Sequence, residues 1–338
     1  MDRHPATPAP SPPQGKAGAS PGDGFGYLLV HFVEDPDGYG EQVHLSLSDG
    51  DDPCAWVRLN GGRPLLRSTL GTTGIRDPYV VRGPDGFFLV ATDLRIYGGD
   101  DAGWDAWTRR GSRRILVWRS PDLVTWSEPW TLEVAPPEAG MAWAPEAVYD
   151  ADRGEYLLLW SSALYAADDV EHRGDAYSRV LAAWTPDFRR LGERHVLIDR
   201  GSGVIDTTVL VQDGVVHRIS KHESFEPGSD RVHHEVGPAL LSDGYRTVAT
   251  RIGADEFDRL EAPILFQDHH DDVWYLFLDQ YDRRPQGYVG FRTTDLAHGR
   301  WERIPPSRFR MPPDTKHGGV LPLVGDEWQR LRAAYPPA

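Results

Sequence analysis

One opening pattern occurs four times along this 338-residue chain and limits the folds that the chain can adopt. The copies are IRDPYVV at 75–81, WAPEAVY at 143–149, VIDTTVLV at 204–211 and LEAPILF at 260–266. Three of them place a carboxylate, Asp77, Asp206 or Glu261, just before a run of β-forming residues. Repetition of one unit is typical of folds in which similar supersecondary units contact their neighbours. The pattern therefore predicts a repeat architecture whose carboxylates converge on one axis.

Each opening is followed by material for three more strands. After IRDPYVV the turn GPDG precedes FFLVATD and then ILVWRSPDLVTWSEP, and the other copies continue in a similar order. Gly and Asp at the turns, with apolar runs between them, are typical of short antiparallel strands. Four strands per unit is the composition of a propeller blade.

The two ends of the chain supply a fifth unit. HGGVLPLV at 317–324 has the pattern of a lone inner strand, and the three strands that it lacks are found in GYLLVHFV at 26–33, QVHLSLSDG at 42–50 and WVRLN at 56–60. Pairing of the two ends would leave no open sheet edge in the ring. We therefore predict an all-β, five-bladed β-propeller whose last blade is closed by N-terminal strands pairing with a C-terminal inner strand.

Composition indicates one large domain with two tails. The chain contains 35 Gly, 28 Pro, 12 Trp and 13 Tyr, and no long segment shows a helical period, which favours a single β domain over residues 26–330. Residues 1–25 are rich in Pro, Ala and Gly, so they are predicted to be disordered, and residues 331–338 are assigned to a C-terminal tail. No apolar run resembles a secretory signal or a membrane span, so we expect a cytoplasmic protein without a membrane partner.

Charge and cysteine content narrow the expected partners. The formal net charge is -15 and no basic stripe could replace the counterions of nucleic acid, so a neutral ligand is favoured and no nucleic-acid partner is expected. The single cysteine, Cys54, excludes an internal disulfide.

Polar residues interrupt the predicted strands at one face of the ring. The first strand of a blade lines the channel and the second runs antiparallel to it, so the start of one and the end of the other lie at the same face. Asp77, Asp206 and Glu261 occupy the starts of first strands. The ends of second strands supply the predicted substrate-binding residues Asp93, Ser162, Lys221, Asp279 and His31.

Three carboxyl groups at one face indicate hydrolysis of a glycosidic bond. This reaction needs an acid that protonates the leaving oxygen and a base that activates water. Glu261 is the candidate acid, with a pKa raised by burial and by the charge of Asp206 on the adjacent blade, and Asp77 across the channel is the candidate base. Carboxyl groups roughly 6.5–9.5 Å apart would predict inversion of the anomeric configuration.

Each carboxylate also has a purely structural interpretation. Asp77 in Asp-Pro can open a turn, Asp206 can accept hydrogen bonds from strand-end amides, and Glu261 can be a surface residue before Pro263. The three carboxylates occupy matching positions in the repeats, and the structural interpretation would have to treat this as three separate coincidences. The catalytic interpretation is therefore favoured. The alternative is a propeller that only binds carbohydrate or another protein, in which the carboxylates hydrogen-bond ligand hydroxyls.

The same strings resemble glycoside hydrolase family 43 over essentially residues 26–330. Asp77 in RDPYV, Asp206 in VIDTTV and Glu261 in LEAPILF match the strings that carry the general base, a pKa-modulating and orienting Asp, and the general acid of that family. The sequence departs from the family pattern at two positions. Ala262 stands where glycine is usual, and Thr207 stands where proline often follows the aspartate. The resemblance implies an inverting, exo-acting hydrolase that removes a terminal pentofuranose from an oligosaccharide or polysaccharide side chain. α-L-Arabinofuranosidase is the first expectation, and β-xylosidase or β-galactofuranosidase are the alternatives.

Two further residues follow from the resemblance. WAPEAVYD resembles the second-blade string, in which Trp143 would be a wall for stacking a sugar ring. HGGVL resembles the family's His-Gly string, so His317 is the candidate for a position near a bound cation, commonly calcium. Alternatively, His317 hydrogen-bonds backbone in the channel. No cofactor is required for the chemistry, and any calcium would be structural.

A basic loop interrupts the first unit between its second and third strands. RRGSRR at 109–114 follows WDAW, and the two together either rim the pocket or form a solvated insertion. The solvated insertion is the favoured interpretation.

Overall fold

The structure is a computed structural model that describes residues 24–34, 41–224, 226 and 231–337. The predicted disordered tail lies outside the described residues except for Gly24 and Phe25, which begin the first strand. None of the helices in these ranges is long and apolar enough to cross a membrane.

Twenty strands in the described part of the chain form five four-stranded antiparallel sheets. The first three strands are β1 (Gly24–Val33), β2 (His44–Asp49) and β3 (Asp52–Arg58). Blade 1 contains β4 (Ile75–Gly83), β5 (Gly86–Asp93), β6 (Arg114–Ser120) and β7 (Trp130–Glu133). Blade 2 contains β8 (Trp143–Asp150), β9 (Glu155–Leu164), β10 (Tyr177–Thr185) and β11 (Arg194–Ile198). Blade 3 contains β12 (Val204–Gln212), β13 (Val215–His222), β14 (Val232–Gly237) and β15 (Arg246–Ala249). Blade 4 contains β16 (Leu260–Gln267), β17 (Trp274–Gln280), β18 (Gly287–Thr293) and β19 (Glu302–Arg303).

Blade 5 is assembled from both ends of the chain. Its inner strand is β20 (Thr315–Val324), and the strand order β20-β1-β2-β3 places β1 beside it. The two strands pair antiparallel, with Leu29 opposite Val320. The predicted five-bladed propeller and its closure are therefore confirmed.

Two short α-helices accompany the strands in the described ranges. α1 (Trp104–Arg110) lies between β5 and β6, and α2 (Glu327–Ala334) follows β20. Three-residue 3-10 turns lie at Asn60–Gly62, Leu296–His298 and Pro306–Arg308. The predicted boundary at residue 330 falls inside α2, whose Leu331 is fully buried and whose Trp328 indole N–H donates to the carbonyl of Ser48 at 3.1 Å.

One apolar core lies between each pair of neighbouring blades. Trp160 of blade 2 packs in one such core with Ile115 of blade 1, and Phe277 of blade 4 packs in another with Tyr27 of blade 5. Both faces of the middle strands are therefore covered, which explains why β9 is apolar along most of its length rather than alternating. This packing fixes the inner strands around the channel.

The inner strands of blades 1 to 4 share a bulge with one residue in the left-handed backbone region. Asp77, Ala144, Asp206 and Ala262 have φ values of 50°, 47°, 51° and 54°, and the strand register shifts at each of them. Aspartate tolerates this conformation better than most residues with a side chain. The bulge is therefore the repeated device that re-aims side chains at the mouth of the channel.

Candidate active site

A cavity of about 560 Å³ lies where the inner strands begin. It falls in the size range of small-molecule sites, about 300–1,000 Å³. The three predicted catalytic carboxylates line it together with Trp143, Lys221 and His317. The structure thus brings together six of the ten residues that the sequence singled out, from blades 1 to 5.

Asp77 is held by two neighbours on different blades. Thr92 Oγ donates to its Oδ2 at 2.7 Å, and His317 Nδ1 lies 3.2 Å from its Oδ1. Burial opposes ionisation, but the charges of His317 and Arg76 and the hydrogen bonds from His317 and Thr92 outweigh it and lower the pKa of Asp77. Asp77 is therefore a carboxylate at neutral pH, as a general base must be.

His317 is the cationic partner of Asp77. Burial alone would lower its pKa, but the charges of Asp77, Asp206 and Glu146 raise the pKa to about 9. A protonated imidazole offers no lone pair to a metal. Among residues 24–34, 41–224, 226 and 231–337, no three His, Cys, Asp or Glu side chains are grouped to hold a metal ion. A calcium ion near His317, as the resemblance implied, therefore stays a prediction.

Glu261 forms an ion pair that the sequence analysis did not include. Its Oε2 lies 2.7 Å from Lys221 Nζ, and the Lys221 side chain is almost fully buried. Burial favours the neutral acid, but the charges of Lys221, Lys316 and His317 outweigh burial and lower the pKa of Glu261. The expectation that the pKa of Glu261 is raised is therefore wrong, because the cation of Lys221 lies beside it as well as Asp206.

Asp206 carries the raised pKa instead. Burial, together with the charges of Glu261 and Asp77, outweighs the cations His317 and Lys221 and raises the pKa of Asp206 to about 6. Its Oδ2 accepts the Ala262 N–H at 3.3 Å, which places it beside the Glu261 strand. Because the two carboxyl groups interact, a proton bound there belongs to the pair.

Four residues predicted to bind substrate do not line this cavity. Asp93 accepts two hydrogen bonds from Thr72, Ser162 donates to the Met141 carbonyl, His31 bonds Ser46 and Phe32, and Asp279 pairs with Lys316 at 2.8 Å. All four side chains are buried. The structure therefore does not bring these four side chains to the cavity with the carboxylates, because their hydrogen bonds and ion pairs hold them in the interior.

A shift of one residue explains two of these errors. In the strand register, Thr92 lies opposite Arg76 and Ser161 lies opposite Trp143. The hydroxyl groups of Thr92 and Ser161 hydrogen-bond residues of the site. Thr92 Oγ bonds Asp77, and Ser161 Oγ accepts the Asp206 N–H at 3.3 Å. Side chains alternate across a strand, so the neighbours Asp93 and Ser162 face the opposite side.

Several cavity residues were missed. Arg76 and Lys316 directly precede Asp77 and His317, and both line the cavity together with Glu34, Tyr281 and Trp104. Arg76 pairs with Glu34 at 3.2 Å and with buried Glu41 at 3.0 Å. The signal was present, because Arg76 occupies the same place before the bulge as Trp143 and Glu261.

The sequence matches the glycosyl hydrolase 43-related family, described as "Probable glycosyl hydrolase domain", over residues 23–329. The chain belongs to this glycoside hydrolase family. Membership confirms the resemblance to family 43 and the fold that the resemblance implied.

Two similar proteins extend this finding. An α-L-arabinofuranosidase of Bifidobacterium longum subsp. longum is 30% identical over 221 residues, which are 61% of this chain and 20% of that relative. The chain thus spans about a fifth of the length of the curated relative it matches. The crystallised α-L-arabinanase of Penicillium chrysogenum is 14% identical with a TM-score of 0.53, over 82% of this chain and 77% of that one. At that identity the likeness shows the fold alone.

Proposed function

We propose that this chain is an exo-acting, inverting glycosidase that removes a terminal α-L-arabinofuranose from an oligosaccharide or polysaccharide side chain. The observation that carries the proposal is that Asp77 of blade 1 and Glu261 of blade 4 line one cavity, with Asp206 of blade 3 as the third carboxyl. The name of the 30% identical relative supports the choice of sugar.

The base side of the reaction uses Asp77. A water molecule on that side of the sugar attacks the anomeric carbon while its proton passes to the Asp77 carboxylate. His317 and Thr92 fix the orientation of this carboxylate through contacts of 3.2 and 2.7 Å. Trp143 offers an aromatic face to the sugar ring in the same cavity.

The acid side uses the carboxyl pair of Glu261 and Asp206. As the bond between the anomeric carbon and the leaving oxygen breaks, Glu261 gives that oxygen a proton. Lys221 favours the Glu261 carboxylate, so the proton that the pair shares lies mainly on Asp206, whose pKa is raised. Transfer of this proton from Asp206 to Glu261 makes Glu261 the acid when the leaving oxygen of the sugar lies beside it. The products are the free sugar with inverted configuration and the shortened chain.

Substitution of the two principal carboxyls tests this assignment. Asp77→Asn and Glu261→Gln should each lower kcat on nitrophenyl α-L-arabinofuranoside by at least about 10², because general acid or base catalysis contributes that much. Glu128→Gln, which changes an exposed carboxylate away from the cavity, is the control. Turnover within a few-fold of wild type in either principal variant contradicts the assignment.

The sugar and the stereochemistry need separate measurements. A panel of nitrophenyl pentosides and hexosides distinguishes arabinofuranosidase from β-xylosidase or β-galactofuranosidase activity. Proton NMR during hydrolysis identifies the anomer formed first, and retention would contradict the inverting mechanism. Calorimetric binding of sugars without any hydrolysis would instead indicate a carbohydrate-binding propeller.

A further inference from the structure

A side cleft opens beside the central cavity and shares a wall with it. Its volume is about 280 Å³. Trp104, Thr108 and Glu223 line both spaces. The remainder of the cleft includes two aromatic residues and a serine, Tyr165, Tyr177 and Ser178.

Trp104 is an exposed indole held in a fixed position on this shared wall. It is the first residue of α1 and is 56% exposed, although its ring packs edge-to-face on two other tryptophans. The ring centroids lie 5.4 Å from Trp107 and 6.0 Å from Trp143. The Arg76 guanidinium lies 5.9 Å from the same ring. These contacts orient the indole and leave much of it open to the solvent.

The two sides of the cleft are tied together by Arg109. Its Nη1 donates to the carbonyls of His172 at 3.1 Å and Gly174 at 2.9 Å, and its Nε pairs with Asp105 at 2.8 Å. The His172 ring in turn stacks on Tyr165 at 4.4 Å. The width of the cleft is thus set by contacts between α1 and the segment after β9 and does not depend on a ligand.

The charges in the cleft favour a neutral occupant. Of the described residues that line the cleft, Asp105 and Glu223 are acidic, and the one cation, Arg109, is paired with Asp105. A third space of about 320 Å³ shares Glu34 and Lys316 with the central cavity, and it is mostly ionic because Arg284 and Asp314 also line it. Flat aromatic rings suit the apolar C–H faces of a neutral sugar, and nearby hydroxyl and carboxylate groups suit its hydroxyl groups.

We propose that Trp104 determines specificity by stacking on the sugar unit to which the terminal pentofuranose is attached, and that the side cleft binds this neutral unit. The inference rests on the proposed function. An exo-acting enzyme holds one sugar unit between Asp77 and Glu261, so the attached unit lies outside that space, toward the walls of the cavity. Trp104 stands on the wall shared with the aromatic cleft.

Two substrates of different length test the inference. Methyl α-L-arabinofuranoside contains a single sugar unit, whereas α-1,5-linked arabinotriose extends into the cleft. Trp104→Ala and Trp104→Leu should lower kcat/KM on arabinotriose by about tenfold or more, since an aromatic stack is lost. Both should stay within about twofold of wild type on the methyl glycoside. Trp184→Phe, in β10 and outside both spaces, is the control and should change neither value.

Each other result overturns one proposal. An equal loss on both substrates means that Trp104 only shapes the central cavity, and an unchanged value on both means that the cleft is unused. Either outcome contradicts the cleft assignment. If wild type hydrolyses neither substrate, the proposed function fails. Calorimetry with arabinotriose then tests the cleft alone, with weaker binding by Trp104→Leu expected and equal binding contradicting it. Trp104→Leu keeps an apolar side chain should Trp104→Ala fail to fold.

Discussion

The ion pair between Lys221 and Glu261 determines which carboxyl of the site holds a proton. Lys221 Nζ lies 2.7 Å from Glu261, and its charge also lowers the pKa of Asp206. Without substrate the pair of carboxyls retains one proton up to about pH 6. In the proposed mechanism, the supply of the catalytic proton therefore depends on a cation that takes no part in bond cleavage.

Removal of the Lys221 charge should shift the pH dependence of kcat/KM. Wild-type kcat/KM is expected to fall on the alkaline side near pH 6, where the pair loses its proton. Lys221→Met removes a charge that lowers the pKa of both Glu261 and Asp206, so the fall should shift to higher pH. Lys221→Arg keeps the charge and should leave the fall near its wild-type position. The measurement is kcat/KM on an aryl arabinofuranoside from pH 4 to 9, and an unmoved alkaline limb in Lys221→Met would contradict this role.

Single residues were predictable only to within one position. The repeat located Asp77, Asp206 and Glu261 at the cavity, because their places relative to the strands are fixed by the openings. The ends of the second strands were less certain. The sequence predicted Ser162 as a site residue, whereas it is the hydroxyl of Ser161 that accepts the Asp206 N–H. A strand inverts the direction of its side chains at every residue, so an uncertainty of one residue exchanges the two faces.

At the scale of elements, the shared bulge explains a departure from the family pattern. Ala262 has φ 54° and is fully buried, so the position where glycine is usual does require a left-handed backbone. Alanine tolerates this at a cost of about 1–2 kcal/mol, and its methyl group joins the core between blades 4 and 5. The substitution thus leaves the bulge beside Glu261 in place.

The helix α2 fastens the closing strand to blade 1. Glu327 makes two contacts with Arg82, of 2.6 and 2.8 Å, and also accepts the Val324 N–H at 2.9 Å. Glu327→Gln should therefore lower the free energy of unfolding by about 1–3 kcal/mol, since hydrogen bonds to charged groups are lost. Urea unfolding followed by tryptophan fluorescence measures this.

The neighbouring carboxylate provides the matched control. Asp326 pairs with Arg330 on the same helix, but its side chain is 78% exposed. Asp326→Asn should change the free energy of unfolding by no more than about 0.5 kcal/mol, because surface ion pairs contribute little. Equal changes in the free energy of unfolding in the two variants would show that the contacts of Glu327 with Arg82 and Val324 do not stabilise the closure of the ring.

Strands were easier to predict from the sequence than helices. The turn residues and apolar runs gave each blade, whereas WDAWTRR was treated as part of a solvated insertion. It forms α1, and its seven residues are too few to show a helical period. Isolated helices of this length are unstable, so α1 depends on tertiary contacts such as those of Trp104 and Arg109, which no local pattern reveals.

For the whole molecule, the buried titratable groups predict how stability varies with pH. Burial raises the pKa of Glu146 from 4.5 to about 8, and nearby carboxylates raise that of His317 from 6.5 to about 9 despite burial. Both groups bind protons more tightly in the folded state. Their contribution is present below the unfolded pKa values and is lost as pH rises through about 8 and 9.

The free energy of unfolding should therefore fall between pH 6.5 and 9. Buried His217 and His234, with pKa values lowered to about 4 and about 3, oppose this fall only near pH 6.5, where they lose their protons in the unfolded chain. Glu146→Gln should make the decline shallower, whereas exposed Glu128→Gln should leave it unchanged. Thermal denaturation at several pH values gives the slopes, and a flat or rising profile in the wild type would contradict the prediction.

The closed ring was predictable because an open sheet edge is unfavourable. Pairing of the N-terminal strands with the C-terminal inner strand is the arrangement that leaves no such edge. The number of blades followed from counting incomplete units at the two ends of the sequence. The shape of the clefts did not follow, since the segments that line them have no repeat. Sugar preference depends on those segments and on contacts such as that between Trp104 and Trp143.

The pairing of β1 with β20 has a consequence for biosynthesis. A ribosome makes Gly24–Val33 early and Thr315–Val324 only after the four complete blades have emerged. During that interval β1 lacks its inner partner, and its unpaired amides and carbonyls can recruit strands of other nascent chains. A chain whose translation stops before Thr315 would therefore form an incomplete ring that is prone to aggregation, which β20 prevents by pairing with β1.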